Sequence, residues 1–340
     1  MKRNEENQFS LSRIPDLVSV IIPAFNAENG LRRCIESVMK QKYPHIELIV
    51  INDGSTDSTD EIALEYQNSI KYDYQNNQGE TAARNRCFFL AKGVFVTFID
   101  HDDYWHEEFV QKCVEFLRSH PAAEAVSTAS SHKSALKEEA TLMPAELEAI
   151  KECSNDGNGI ILKNFFLFWA NHNHICAGSA LLRGSLLDNS GGQRTDLALS
   201  GDLEFWAYLA TFGLWGFIPE VLLFVDGTQA KIGNLYEKYF NSYNKCPSIE
   251  SWEERIVSRL NDTDKKTFEC IRGRVATWFI FANVFVSRDA EAYIVAKKYR
   301  KHLEGKFGAL WRLGLVLGWL SWKPLCATLR FRTKLQYRTS

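Results

Sequence analysis

The chain of 340 residues is long enough for one large α/β domain or two modest ones, and 45% hydrophobic with 24% charged residues is ordinary for a globular protein with a real core. Eight scattered cysteines with no C-x-x-C pair exclude the usual zinc spacings and read as small hydrophobes in a reducing cytosol. No apolar run reaches the length of an ordinary membrane span, and the polar opening MKRNEENQFSLSRIPD lacks the apolar core of a signal peptide. The net charge of −2 conceals an asymmetry: residues 291–340 hold 11 Lys/Arg against 2 Asp/Glu, so an acidic body carries a basic tail suited to an anionic surface.

After the polar lead, Leu17 to Pro23 (LVSVIIP) is an apolar, β-branched run that reads as a buried strand. A helical segment follows from Asn26, with Leu31, Cys34, Ile35 and Val38 at helix spacing; Pro44 then turns the chain into a second strand, Ile46 to Ile51. NDGSTDSTDE reads as a loop and helix start, with acids in the first turn of a helix Thr59 to Tyr66. A third strand is expected over Ile70 to Tyr74, a helix from Gly79 to a C-cap at Gly93, and a fourth strand over Val94 to Ile99. This alternation predicts a mostly parallel, Rossmann-like sheet flanked by helices, with ligands beyond the carboxyl ends of its strands. From Ser127 to Asn158 the pattern loosens into polar sequence with one helix near Pro144 to Lys151. Order returns over Ile175 to Leu182, in a helix Leu203 to Phe212 and in a strand Trp215 to Val225; beyond about residue 235 the chain reads as helices.

The residues at the strand ends carry the chemistry. Pro23-Ala24-Phe25-Asn26, Asn52-Asp53-Gly54-Ser55 and Asp100-His101-Asp102-Asp103 follow strands one, two and four, and an open parallel sheet brings such tips to one crevice. Clustered carboxylates repel one another unless a cation or a donor sits among them. Magnesium or manganese is held by one or two carboxylates plus substrate phosphates. Asp100 and Asp102, two apart on extended chain, point to one side, so one can serve a nucleotide and the other a metal. In NNQGETAARN, Gly79 permits a tight helix entry and Arg84 can fork onto an anion or the aspartates.

SVIIPAFN, LIVINDGSTDST, NNQGETAARN, FIDHDD and SGDLEFWAYLATFG followed by GFIPEVLL occur in an order that resembles inverting glycosyltransferase family 2, over roughly residues 17 to 226. The resemblance implies the GT-A fold with a helical C-terminal extension: a polar lead over 1–16, a catalytic domain over 17–230 (donor half 17–120, acceptor half 121–230) and a helical region over 231–340. It implies that Pro23, Phe25 and Asn26 line a base and ribose pocket, Asp53 bonds the nucleobase, Gly79 and Arg84 support the donor, Asp100 binds ribose or diphosphate, Asp102 ligates Mn2+ or Mg2+, and Asp202 is the catalytic base. Inversion needs in-line attack by a hydroxyl whose proton a carboxylate removes, so base and metal belong on opposite sides of the sugar.

Rival readings exist for these residues. Asp53 can be a turn residue, Asp202 can cap its helix while Glu204 substitutes as base, Asp103 reads as a cap or supporting residue, and His172 and His174 read as polar loop. Where the family often carries Arg or His after the GFIPEVLL strand, this chain offers only Lys231 as a phosphate contact. Neither Q-x-x-R-W nor membrane spans accompany the motifs, so transfer of a single hexosyl or N-acetylhexosaminyl unit is expected, from a UDP-linked donor to a glycan acceptor, free or lipid-linked, in O-antigen or capsule synthesis. No nucleic-acid partner is expected, and the absence of G-x-G-x-x-G after strand one argues against a dinucleotide oxidoreductase. The alternatives are a catalytically silent sugar-nucleotide-binding or glycan-binding protein and a nucleotidyltransferase. Trp311, Trp319, Trp322 and Phe307 among basic residues suit a helix in the headgroup region at the inner face of the cell membrane, or a helix packed on the body.

Overall fold

The computed structural model describes residues 13–134, 137–142, 151–152, 159–171, 175–197, 201–227, 248–303 and 305–338. The helix expected near Pro144, the His172 to His174 loop and Lys231 lie outside them. The first half alternates as its patterning dictates: β1 (Ile14–Ala24), α1 (Leu31–Met39), β2 (Ile46–Asp53), α2 (Thr59–Glu65), β3 (Lys71–Gln75), α3 (Glu80–Leu90), β4 (Gly93–Phe98). β1 pairs in parallel with both β2 and β4, and β2 with β3, so the strand order reverses beside β1 and opens a crevice at the carboxyl tips.

Three boundaries differ from expectation. β1 begins inside the expected lead, with Asp16 at φ 63° where the pairing to β4 shifts register. α3 ends at Leu90, and Gly93 opens β4 rather than capping the helix. A Cβ at Gly93 would stand 2.6 Å from the Leu17 carbonyl oxygen, so close strand approach explains that glycine.

Beyond β5 (Tyr104–Trp105) and α4 (Phe109–Ser119) short antiparallel strands join the sheet and make it mixed, while its longer ladders, such as β1 with β2, remain parallel. The segment expected to be irregular holds most of β6 (Ala123–Ser134), all of β7 (Lys137–Leu142) and β8 (Lys151–Glu152), and β9 (Ile160–Leu162) follows it. After α5 (Phe165–Asn171), β10 (Ala180–Arg183) inserts antiparallel between β4 and β6. α6 (Gly184–Ser190), α7 (Gly201–Leu209) and β11 (Leu214–Gly227) follow. β11 runs parallel to β6, with register shifts on both sides of Pro219-Glu220, where a missing N–H interrupts the ladder.

The faces of the sheet build two cores. Val18, Val20 and Ile22 pack with Leu31, Ile35 and Val38 of α1, whereas Ile21, Ile49 and Ile51 face Phe88 of α3 and Trp206 of α7. The second core continues into α8 (Ile249–Val257), α9 (Asp262–Phe285), α10 (Asp289–Lys298), α11 (Gly305–Val316) and α12 (Trp319–Arg338), through Trp252, Ile280, Ala292, Trp311 and Trp322. The C-terminal helices are therefore an extension of the body. Cys34, Cys87, Cys113 and Cys326 are buried free thiols, in keeping with their reading as hydrophobes.

Candidate active site

The crevice is assembled from loops that stitch to one another. Asn26, at φ 49°, donates its backbone N–H to Ser55 Oγ at 3.0 Å and accepts from Thr56 N at 2.9 Å, joining the tips of β1 and β2. Phe25 and Asn26 are exposed on this rim, whereas Pro23 is buried within β1 opposite Ile51.

Asp53 is 2% exposed and is committed to the loop after β3: Oδ1 accepts from Gln75 Nε2 at 2.6 Å and Gln78 N at 2.9 Å, and Oδ2 from Gly79 N at 2.8 Å. In this conformation the carboxylate fixes the entry to α3, where the resemblance implied contact with a nucleobase. Gly79 sits at φ 91°, a region costly for other residues.

The acidic turn after β4 lies against the start of α1. A Cβ at Gly30 would meet the His101 carbonyl oxygen at 2.7 Å and Asp102 Cα at 2.8 Å. Asp103, 4% exposed, accepts from Asp226 N at 3.1 Å; burial and the neighbouring charges of Asp100 and Asp102 push its carboxyl up to about 8. It ties the end of β11 to the turn and caps no helix. Burial, aided by Asp100 and opposed by His101, also raises Asp102. Arg33 donates to the Asp102 carbonyl at 2.6 Å, pairs with Asp226 at 2.7 Å and lies 4.7 Å from the Tyr104 ring centroid.

Among the described residues no three acids, histidines or cysteines form a ready metal cage. The donor set still fits a hard divalent cation that completes its shell with substrate phosphates: oxygen ligands only, and acids that burial and mutual repulsion leave short of positive charge.

Arg84 joins the halves. Its side chain is 4% exposed; Nη2 bonds Asp100 at 2.7 Å and pairs with Glu80, and Nη1 bonds Asp202 Oδ1 at 2.8 Å. Gln193 Nε2 also donates to Asp202 Oδ1, at 2.9 Å, and among the described residues Oδ2 receives no hydrogen bond. Gln193 is held by Asn85, which accepts from its N–H at 2.8 Å and donates to its carbonyl at 2.7 Å.

The rival acid is placed elsewhere. Glu204 is fully buried and paired with Arg255, whose Nη2 lies 2.6 Å from Oε2, while the Asp202 side chain is 60% exposed. Asp202 lies in the first turn of α7 and fits the cleft-facing acid. Sequence reasoning missed Gln193, Arg33, Asp226 and the Asn85 clamp; the positive-φ pair Gly191-Gly192 before Gln193 was the available signal.

A mixed sheet flanked by helices, with acids from both halves brought together on Arg84, is the arrangement of the GT-A fold. The chain belongs to glycosyl transferase family 2, whose model matches residues 19–188. It is 41% identical over 110 residues to the glycosyltransferase GlyA of Streptococcus pneumoniae, across 30% of this chain and 16% of that protein. It is 37% identical over 111 residues to TuaG of Bacillus subtilis, a putative teichuronic acid biosynthesis glycosyltransferase, across 32% of this chain and 44% of that one. The matches thus span less than half of either relative. Among solved structures, S. aureus TarS 1–349 in complex with UDP superposes with a TM-score of 0.55 at 17% identity, over 95% of this chain and 91% of that one. The mannosyltransferase PcManGT from Pyrobaculum calidifontis, with GDP-Man and Mn2+, gives 0.50 at 17% identity, over 93% and 84%. At such identities the likeness is one of fold.

Proposed function

We propose that this chain transfers one sugar per encounter, with inversion, from a UDP-linked donor to a hydroxyl of a lipid-linked glycan during O-antigen or capsule assembly. The observation that carries the reading is the Arg84 bridge, which holds Asp100 and the exposed Asp202 on one guanidinium. Solved structures of S. aureus TarS with UDP and with UDP-GlcNAc, and the name of TuaG, support the donor and pathway class.

In this reading residues 17–230 form the catalytic unit. Phe25 and Asn26 flank the base and ribose, and Asp53 orders the loop at Gly79 beneath the donor. Asp100 meets the ribose or diphosphate side, with Lys231 a further phosphate contact. Asp102 would hold Mn2+ or Mg2+, which would supply positive charge against the diphosphate. Asp202 Oδ2 takes the acceptor hydroxyl's proton as that oxygen bonds the anomeric carbon and the bond to the diphosphate breaks on the opposite face. Arg84 and Gln193 keep Oδ1 engaged and so fix the orientation of Oδ2. The work site is the inner face of the cell membrane, reached through the C-terminal region.

The test is a panel of nucleotide sugars with manganese and lipid-linked glycan acceptors, reading release of nucleoside diphosphate. Acceptor-dependent release from a UDP-sugar supports the proposal. No release with any donor and acceptor overturns it, and pyrophosphate release from a nucleoside triphosphate would replace it with nucleotidyl transfer.

A further inference from the structure

The α11–α12 hairpin has two unlike faces. Its inner seam packs Trp311 against Trp322 with ring centroids 5.3 Å apart, and Gly314 lets Trp322 approach so closely that a Cβ would lie 3.0 Å from the indole. The outer face and the turn at Gly318 (φ 80°) present Leu313, Val316, Leu317 and Leu320 at 55%, 78%, 58% and 89% exposure. Leu313, Val316 and Leu317 share one face of α11 by their three- and four-residue spacing, and Leu320 follows across the turn. Singly exposed leucines are unremarkable, but this contiguous apolar cluster is unusual on a water-facing surface.

Exposed cations bracket the cluster. Arg312 precedes it and Lys323 follows it, with Lys323 Nζ 5.4 Å from the Trp319 ring centroid; Arg300 and Lys301 are exposed nearby in sequence. We infer that the α11–α12 turn inserts into the headgroup boundary of an anionic bilayer, Val316, Leu317 and Leu320 entering first and Arg312 and Lys323 meeting lipid phosphates. This specifies the lipid-facing surface within the proposed function and rests on that reading.

Charge selects lipid over a second copy. A two-fold contact through this tip would bring Arg312 and Lys323 of each copy together, within a tail of 11 basic and 2 acidic residues, whereas anionic headgroups oppose that charge. Depth is limited too: among the described residues no helix is long and apolar enough to cross a membrane, so the tip rests at the interface with the Trp319 indole at headgroup level.

Flotation of the full chain with phosphatidylcholine vesicles, with and without phosphatidylglycerol, tests this, alongside V316D/L320D and R312E/K323E. The wild type should float with the anionic vesicles alone and be released by salt, and each double variant should lose about tenfold in the bound fraction. The substituted residues are exposed, so UDP binding and the melting temperature should stay at wild-type values. Equal flotation of V316D/L320D and wild type, or no flotation of wild type, overturns the inference. So does a wild-type dimer in sedimentation that V316D/L320D dissolves without any flotation. If flotation behaves as expected while UDP fails to bind, the transferase reading falls and the membrane tip stands.

Discussion

Replacing Arg84 with Lys tests the bridge between donor side and base. The guanidinium is almost fully buried and reaches Asp100 and Asp202 at 2.7 and 2.8 Å through different nitrogens. A lysine keeps the charge but lacks the fork, so it can satisfy one carboxylate well and not both. Losing one charge-assisted hydrogen bond costs about 1.5–3 kcal/mol where solvent is excluded. Asp202 is 60% exposed, so water recovers part of that and the stability loss should be about 1 kcal/mol. The kinetic cost is larger, because a displacement of about 1 Å at a reacting group can cost about 100-fold in rate. Gln193 still donates to Asp202 Oδ1, which limits the loss and forecasts a steeper fall for the R84K/Q193A double variant than for either single one. Turnover by nucleoside diphosphate release and donor affinity by calorimetry separate the effects: kcat should fall about 30- to 100-fold while donor Kd moves less than about threefold. Unchanged kcat in R84K, or a donor Kd that collapses with it, would refute the reasoning.

Asp202→Asn preserves shape and both Oδ1 hydrogen bonds but removes basicity, so donor affinity should hold while turnover drops about 100- to 10,000-fold; equal loss of donor binding would make its role structural. Gly273→Ala places a Cβ 1.6 Å from the His302 carbonyl oxygen where α9 meets the chain after α10. It should destabilise by about 1–3 kcal/mol despite the better helix propensity of alanine, read by urea denaturation, and an unchanged midpoint would contradict the packing. Burial pushes the Glu250 carboxyl up, but hydrogen bonds from Lys298 and Tyr299 outweigh it and bring it from 4.5 down to about 2. A depressed folded value stabilises above the unfolded pKa and is lost as pH falls through the folded one. Glu250→Gln should therefore be less stable than wild type at pH 7, with the gap closing between about pH 4.5 and 2; a pH-independent gap would rule out the linkage.

The crevice was legible because β1, β2 and β4 are largely apolar, β-branched runs whose ends carry Asn26, Asp53 and Asp100. β6 was not, since its buried positions include Ser127, Thr128, Ser130 and Ser131, which read as loop. Pairing makes those hydroxyls tolerable: Ser127 Oγ accepts from Trp215 Nε1 at 3.2 Å, inside a long parallel ladder with β11. No local pattern encodes the antiparallel insertion of β10, which depends on partners far away in sequence. The choice between Asp202 and Glu204 was within reach, since residues two apart on a helix face nearly opposite ways and only one can meet the cleft.

The NNQGETAARN segment is best understood as the part that makes a two-sided site rigid. Asp53 pins the N–H of Gly79, so α3 starts at a fixed point beside the β2 tip. Five residues later, one and a half turns along, Arg84 reaches Asp100 and Asp202, and Asn85, rotated by about 100°, grips both polar groups of the Gln193 backbone. Adjacent residues of one helix thus hold the second half of the domain at two points, one on the proposed base and one on the loop that supports it. A site whose base and donor acids come from chain segments over a hundred residues apart needs such a member, because relative drift of the halves would appear directly in the distance between attacking oxygen and anomeric carbon. In the proposed mechanism Arg84 would hold that distance through charge and Asn85 through backbone geometry, so loss of Asn85 should leave the ion pairs formed while loosening the Gln193 hold on Asp202.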